Sequence, residues 1–184
     1  MKYAVVILAL AATALVALAG PEDRSAAGKA GFLQVVQVLQ SPRCVNCHPS
    51  GDRPLQGDDG RVHAQNISRR TIAAGVPCST CHQTRNAEAI GVVGGPPGAP
   101  GWNLPPAETP MVFQGKTATQ LCQQLKDPAQ TGGRNLAKLL EHVTSDPLVR
   151  WGWAPGKART LPPLAHDRFV AAFQAWVDSG AACP

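Results

Sequence analysis

The chain has 184 residues, with 17 Lys and Arg against 12 Asp and Glu, a formal charge of +5. Once an N-terminal leader is set aside, about 165 residues remain, the size of one domain. No Ser-His-Asp order, phosphate-binding glycine loop or nucleic-acid motif accompanies the basic excess, and the carboxylates are too scattered for a paired site.

Residues 1–19 read as an export signal. Lys2 supplies the positive start, residues 3–18 are almost wholly apolar, and Ala17-Leu18-Ala19 is a small-x-small cleavage site. The apolar run falls short of the roughly 20 residues that span a bilayer, and no basic cluster follows it. Cleavage near Ala19 is expected, leaving residues 20–184 as a single domain with no stable membrane span. No cysteine follows the run, which argues against a lipid anchor.

Residues 21–28 are polar and read as a loose lead-in. Residues 32–39 predict an amphipathic helix, with Phe32, Val35, Val36 and Leu39 on one face and Gln34 and Gln37 opposite, stopped by Ser41-Pro42. Next comes Cys44-Val45-Asn46-Cys47-His48, and the pattern returns as Cys78-Ser79-Thr80-Cys81-His82. Cys-x-x-Cys-His is the attachment pattern of c-type haem. Two thiols one turn apart reach the two vinyl groups of one porphyrin, and the adjacent imidazole points at its iron. Two copies predict two haem c groups, bonded through Cys44 and Cys47 and through Cys78 and Cys81, with His48 and His82 as proximal iron ligands. Paired zinc knuckles are the alternative, but they are usually spaced by about 15–20 residues and give the two histidines no role. A disulfide framework does not ask for those histidines either.

Haem attachment to thiols takes place outside the bacterial cytoplasm, so the expected location is the periplasm. Two haems bring four propionates, which would leave the assembled protein near neutral. Arg53, Arg61, Arg69 and Arg70 lie between the motifs and are expected as propionate partners or as solvated surface.

Residues 49–60 are rich in Gly, Pro and Asp and read as loop. Residues 67–74 predict a short helix broken by Gly75-Val76-Pro77. Residues 91–110 are dense in Gly and Pro around Trp102, either an interdomain linker or, preferred here, an ordered loop packed on haem. Three helices follow, at 117–126, 136–144 and 169–177, each with apolar residues at helical spacing or a stop at Asp-Pro or Gly. Trp151-Gly152-Trp153 lies between the last two, for packing or for contact with a porphyrin. No alternation lasts long enough to claim a sheet. The fold class is mainly α, an irregular, loop-rich arrangement of short helices around two haems.

Cys122 and Cys183 are left over, and an even remainder in an oxidising compartment predicts one disulfide. It closes a loop of about 60 residues, worth about 4 kcal/mol on the chain-entropy account. Two free buried thiols are the alternative.

The second axial ligands are chosen from His63, His142, His166 and Met111. His63 lies between the motifs in a polar loop able to fold over either haem. His142 flanks the apolar stripe of its helix. His166 starts its helix, where a cap or an exposed role competes, and Met111 follows Pro110 in a proline-rich loop. The two places go to His63 and His142, with Met111 as the alternative ligand. The choice sets the energy scale, because a bis-His iron has a lower potential than a His/Met iron.

The two haem motifs make the chain resemble a small periplasmic di-haem cytochrome c. From about Cys44 to its end it also resembles an exported family often labelled isoquinoline 1-oxidoreductase subunit. That likeness is carried by Gly57-Asp58-Asp59-Gly60-Arg61, Leu148-Val149-Arg150-Trp151-Gly152-Trp153 and Gly180-Ala181-Ala182-Cys183-Pro184. The label implies partnership with a molybdenum hydroxylase. This chain has neither an iron–sulfur cysteine set nor a molybdopterin-site signature, so the implied role is that of electron acceptor to such an enzyme.

The expected function is electron transfer, relaying electrons between a redox enzyme and a respiratory acceptor, with no substrate chemistry and no nucleic acid bound. The alternatives are a di-haem peroxidase-like enzyme with one open iron, and a haem-bearing subunit that docks a larger oxidoreductase.

Overall fold

The computed structural model describes residues 20–87, 95–157 and 159–184. The expected leader and residues 91–94 of the Gly/Pro run lie outside them. Among the described residues the protein is mainly helical and loop-rich, with seven α-helices and one two-stranded sheet.

Helix α1, Pro21–Leu39, begins well before the predicted start, so the polar lead-in is helical rather than loose. The local reasons are a proline in the first turn, which is pre-set for a helix, and Glu22 and Asp23 beside the positive helix end. The predicted face holds: Phe32, Val35, Val36 and Leu39 are buried with Val38, while Gln34 and Gln37 are exposed. Helix α2, Pro42–Val45, follows at once. Strands β1, Leu55–Gln56, and β2, Arg61–Val62, pair antiparallel, Leu55 opposite Val62 and Gln56 opposite Arg61. Two residues per strand are too few to leave a period in the sequence. Helix α3, Arg69–Ala73, is shorter than the predicted segment because Ser68 caps it reciprocally with Thr71.

Helix α4, Ala118–Lys126, starts at Thr117, which forms a capping box with Gln120. Helix α5, Leu136–Ser145, is capped by Asn135. Helix α6, Pro147–Trp151, was not expected, although Asp146 followed by Pro147 is a helix-start signal as much as a stop. Helix α7, His166–Asp178, carries Phe169, Phe173 and Trp176.

The core forms where α1 lies along α7, with α4 and α5 closing the sides. Phe32 meets Trp176 at 4.5 Å between ring centroids, and Trp176 meets Phe173 edge to face at 5.4 Å. The disulfide Cys122–Cys183 ties α4 to the C-terminal residues, as expected.

Gly28 permits the close approach of α1 to α7. A Cβ there would run into Ser179 Oγ and stand 2.8 Å from Ser179 Cβ. Helix propensity alone would favour Ala by about 1 kcal/mol, whereas overpacking costs about 1–3 kcal/mol. Gly28→Ala is therefore expected to lower the urea midpoint, and Ser179→Gly in the same chain to recover it. Additive effects in that pair would remove the close-packing explanation.

Candidate functional site

The first Cys-x-x-Cys-His stretch is a tight helical turn. Ser41 and Pro42 start α2, and the His48 amide donates to the Cys44 carbonyl at 3.0 Å. The turn puts both sulfurs and the imidazole on one wall of a cleft of about 550 Å³, within the range for bound cofactors. Leu104, Leu139, Val143 and Phe169 supply apolar wall, and His142, Trp151 and Arg43 also line it. Burial pushes the thiols up, Cys44 to about 12 and Cys47 to about 11, so both are neutral.

His48 is held in two ways. Its Nδ1 lies 2.7 Å from the Met111 carbonyl oxygen, and its ring stacks on Phe113 at 4.0 Å and 15°. A carbonyl only accepts, so Nδ1 carries the proton and Nε2 keeps its lone pair. Burial pushes the imidazole down to about 4, which keeps it neutral, and the nearness of His142 adds to that. His142 is held from α5, its Nδ1 3.2 Å from Asp146 Oδ2. Asp146 Oδ1 meanwhile accepts from the Leu148 and Val149 amides and caps α6. Burial lowers the His142 pKa more than Asp146 raises it.

The second stretch repeats the plan. Pro77 precedes a 3-10 turn, Cys78–Thr80, and the His82 amide donates to the Cys78 carbonyl at 2.9 Å. His82 Nδ1 lies 2.6 Å from the Pro97 carbonyl oxygen, and its ring stacks on Trp102 at 4.6 Å and 7°. Burial lowers its pKa, with the nearby His63 contributing. The His63 ring centroid is 6.0 Å from that of His82, and its own Nδ1 is 2.7 Å from the Ala64 carbonyl oxygen. Arg53 Nη2 donates to the His63 carbonyl at 3.1 Å. This site is nearer the surface: Cys81 is exposed, Cys78 half-buried. Burial raises the Cys78 pKa, and the Cys78 charge in turn raises that of Cys47, so the two sites are neighbours.

The other candidates sit differently. His166 turns Nε2, not Nδ1, to protein, 2.8 Å from the Val143 carbonyl oxygen, and Trp153 packs edge-on against its ring. Met111 lines the first cleft, gives its carbonyl to His48 and has a left-handed backbone at φ +45°. Arg69 is buried on the carbonyls of Pro105 and Gly51, while Arg61 and Arg70 are exposed. Arg43, not singled out from the sequence, is buried in the first cleft and pairs with Asp58.

Among the described residues no three His, Cys, Asp or Glu side chains converge to hold a single ion. Zinc needs four such ligands around one point, whereas Cys44 and Cys47 line the first cleft with His48 and the second pair lies nearer the surface beside His82. That donor set suits a flat macrocycle bonded at its edge by two sulfurs and at its centre by nitrogen, so the residues fit an iron porphyrin. No family model, curated protein or solved structure matches the chain.

Proposed function

We propose that this chain is an exported di-haem cytochrome c that moves single electrons between redox proteins. The observation that carries the reading is a repeated arrangement of imidazoles. Four histidines, His48, His142, His82 and His63, each have Nδ1 engaged by a backbone carbonyl or carboxylate, and so each keeps Nε2 for a metal. They fall into two pairs, one at each Cys-x-x-Cys turn. Bound haem would supply one-electron exchange between ferric and ferrous iron.

The protein's own contribution is positional. Cys44, Cys47, Cys78 and Cys81 would carry the thioether bonds, and His48 and His82 the proximal coordination. His142 would close the first site and His63 the second, leaving no open place for a substrate. Phe113 and Trp102 fix the imidazole planes. The disulfide suits an oxidising compartment such as the periplasm, and no described helix is long and apolar enough to cross a membrane.

Purified exported protein should keep its pigment in acidified organic solvent and weigh two tetrapyrroles more than the mature chain. Pigment that washes out, or a mass lacking both additions, overturns the proposal. Strong carbon monoxide binding by one untreated centre would replace electron transfer with a peroxidase-like reading.

Asp146 gives a sharper prediction. Asn caps helices as well as Asp does, so Asp146→Asn spares α6. Its amide then faces His142 with a hydrogen where Asp146 presented an acceptor. Loss of an outer partner typically loosens a ligand by roughly 10–100-fold, and carbon monoxide should displace His142 that much more readily at the first centre only. An unchanged displacement curve would deny Asp146 this role.

A further inference from the structure

Trp102 and Trp151 stand far apart in sequence yet join the two motif sites in space. From His82 the path runs through the stacked Trp102 ring to Trp151, met edge to face at 4.7 Å and 83°. Trp151 lines the cleft that also holds Cys44, Cys47 and His48. Each indole is half-buried, and neither belongs to the main hydrophobic core, which is filled by Trp176 and the phenylalanines. Core packing therefore does not account for them.

The pair is held stiffly. Trp151 Nε1 donates to Asn86 Oδ1 at 2.8 Å, and the same oxygen accepts from the Gly98 amide at 3.0 Å. Asn86 Nδ2 donates to the Ala154 carbonyl at 3.0 Å, so one side chain binds the second-motif loop to the segment after α6. On the other side the Arg43 guanidinium lies 6.0 Å from the Trp151 ring centroid, a cation–π distance.

We propose that Trp102 and Trp151 form an indole bridge that sets the electronic coupling between the two sites. The inference rests on the di-haem reading. Exchange between fixed redox centres falls steeply with the gap and is carried better through touching atoms than across open space. An unbroken run of π contacts from the imidazole of one site to the wall of the other shortens that gap. The exchange is balanced by itself: one electron leaves the reduced site and arrives at the oxidised one. Neither indole is oxidised or loses a proton, and the Trp151 N–H stays on Asn86. Asn86 acts as a positioning residue for the bridge.

The test uses the intact di-haem protein and measures intramolecular electron exchange after flash reduction, with mass and EPR on the same samples. Trp151→Leu is expected to slow exchange by at least an order of magnitude while both porphyrins and both low-spin signals remain, and Trp102→Leu to slow it as much with both porphyrins still attached. Trp102→Phe, which keeps a ring in the path, should recover most of the rate; it is also the variant to read if a leucine variant does not fold. Wild-type exchange in a variant with both centres intact overturns the bridge. So does loss of the second low-spin signal in Trp102→Leu with no effect in Trp151→Leu, which would make Trp102 a prop for His82 alone. A wild-type mass without two tetrapyrroles would instead defeat the di-haem reading, before any rate is measured.

Discussion

Under the di-haem proposal, replacing His142 by alanine should turn one haem high-spin and replacing His63 the other, because each histidine lies at a different motif. His142 shares the first cleft with Cys44, Cys47 and His48, and its charge opposes protonation of His48. His63 lies against His82 and opposes protonation of that ring in the same way. The sequence alone left this pairing open. A chain with Cys44→Ser and Cys47→Ser would keep only the second haem. In that background His142→Ala should leave the remaining spectrum untouched, and His63→Ala should convert it completely. His166→Ala and Met111→Leu should each leave both centres low-spin in the wild-type background. For His166 the reason is direct: its Nε2 is committed to the Val143 carbonyl. EPR and near-infrared magnetic circular dichroism read each outcome, and a single centre responding to both His63→Ala and His142→Ala would dissolve the pairing.

What could be read from the sequence was what is contiguous. The Cys-x-x-Cys-His turns and the apolar stripes of α5 and α7 follow from spacing, the end of α4 from Asp127-Pro128 and the Cys122–Cys183 pairing from parity, and the helices and the disulfide stand in the fold. What escaped was set by contacts distant along the chain. The Met111 and Pro97 carbonyls that orient His48 and His82 have no sequence signature, since any residue has a carbonyl. Phe113 and Trp102 are ordinary aromatics until the loop before α4 folds back on the motifs. Two misses were nearer at hand. The residues opening α1 looked loose because they are polar, yet a proline in the first turn followed by two acids is a helix start. Asp146-Pro147 ends α5 and also starts α6, two roles that the dipeptide signals equally. Reading that carboxylate as a cap would have put a hydrogen-bond acceptor four residues from His142, the spacing at which helical side chains meet.

Removing the disulfide should cost about 4 kcal/mol of stability, the loop-entropy value for the separation of 61 residues between Cys122 and Cys183. Alanine at both positions is the cleaner substitution, because Cys122 is fully buried on α4 and a serine hydroxyl there would add its own burial cost. The native end of the chain has other holds. Trp176 Nε1 donates to the Ala182 carbonyl at 3.1 Å, Lys126 Nζ to the Ala181 carbonyl at 2.9 Å and Thr119 Oγ1 to the Pro184 carbonyl at 2.7 Å. With those bonds in place the folded state changes little, and most of the loss falls on the unfolded chain, which is freed to expand. Urea unfolding separates the two contributions. The midpoint should drop and the slope should rise, since an uncrosslinked chain exposes more surface on unfolding. A midpoint shift worth under about 1 kcal/mol, below the typical span for such a loop, would mean that the bridge restricts the unfolded chain far less than loop entropy requires. A large drop with an unchanged slope would move the effect into the native state, to packing lost around Cys122 between Leu121 and Leu125.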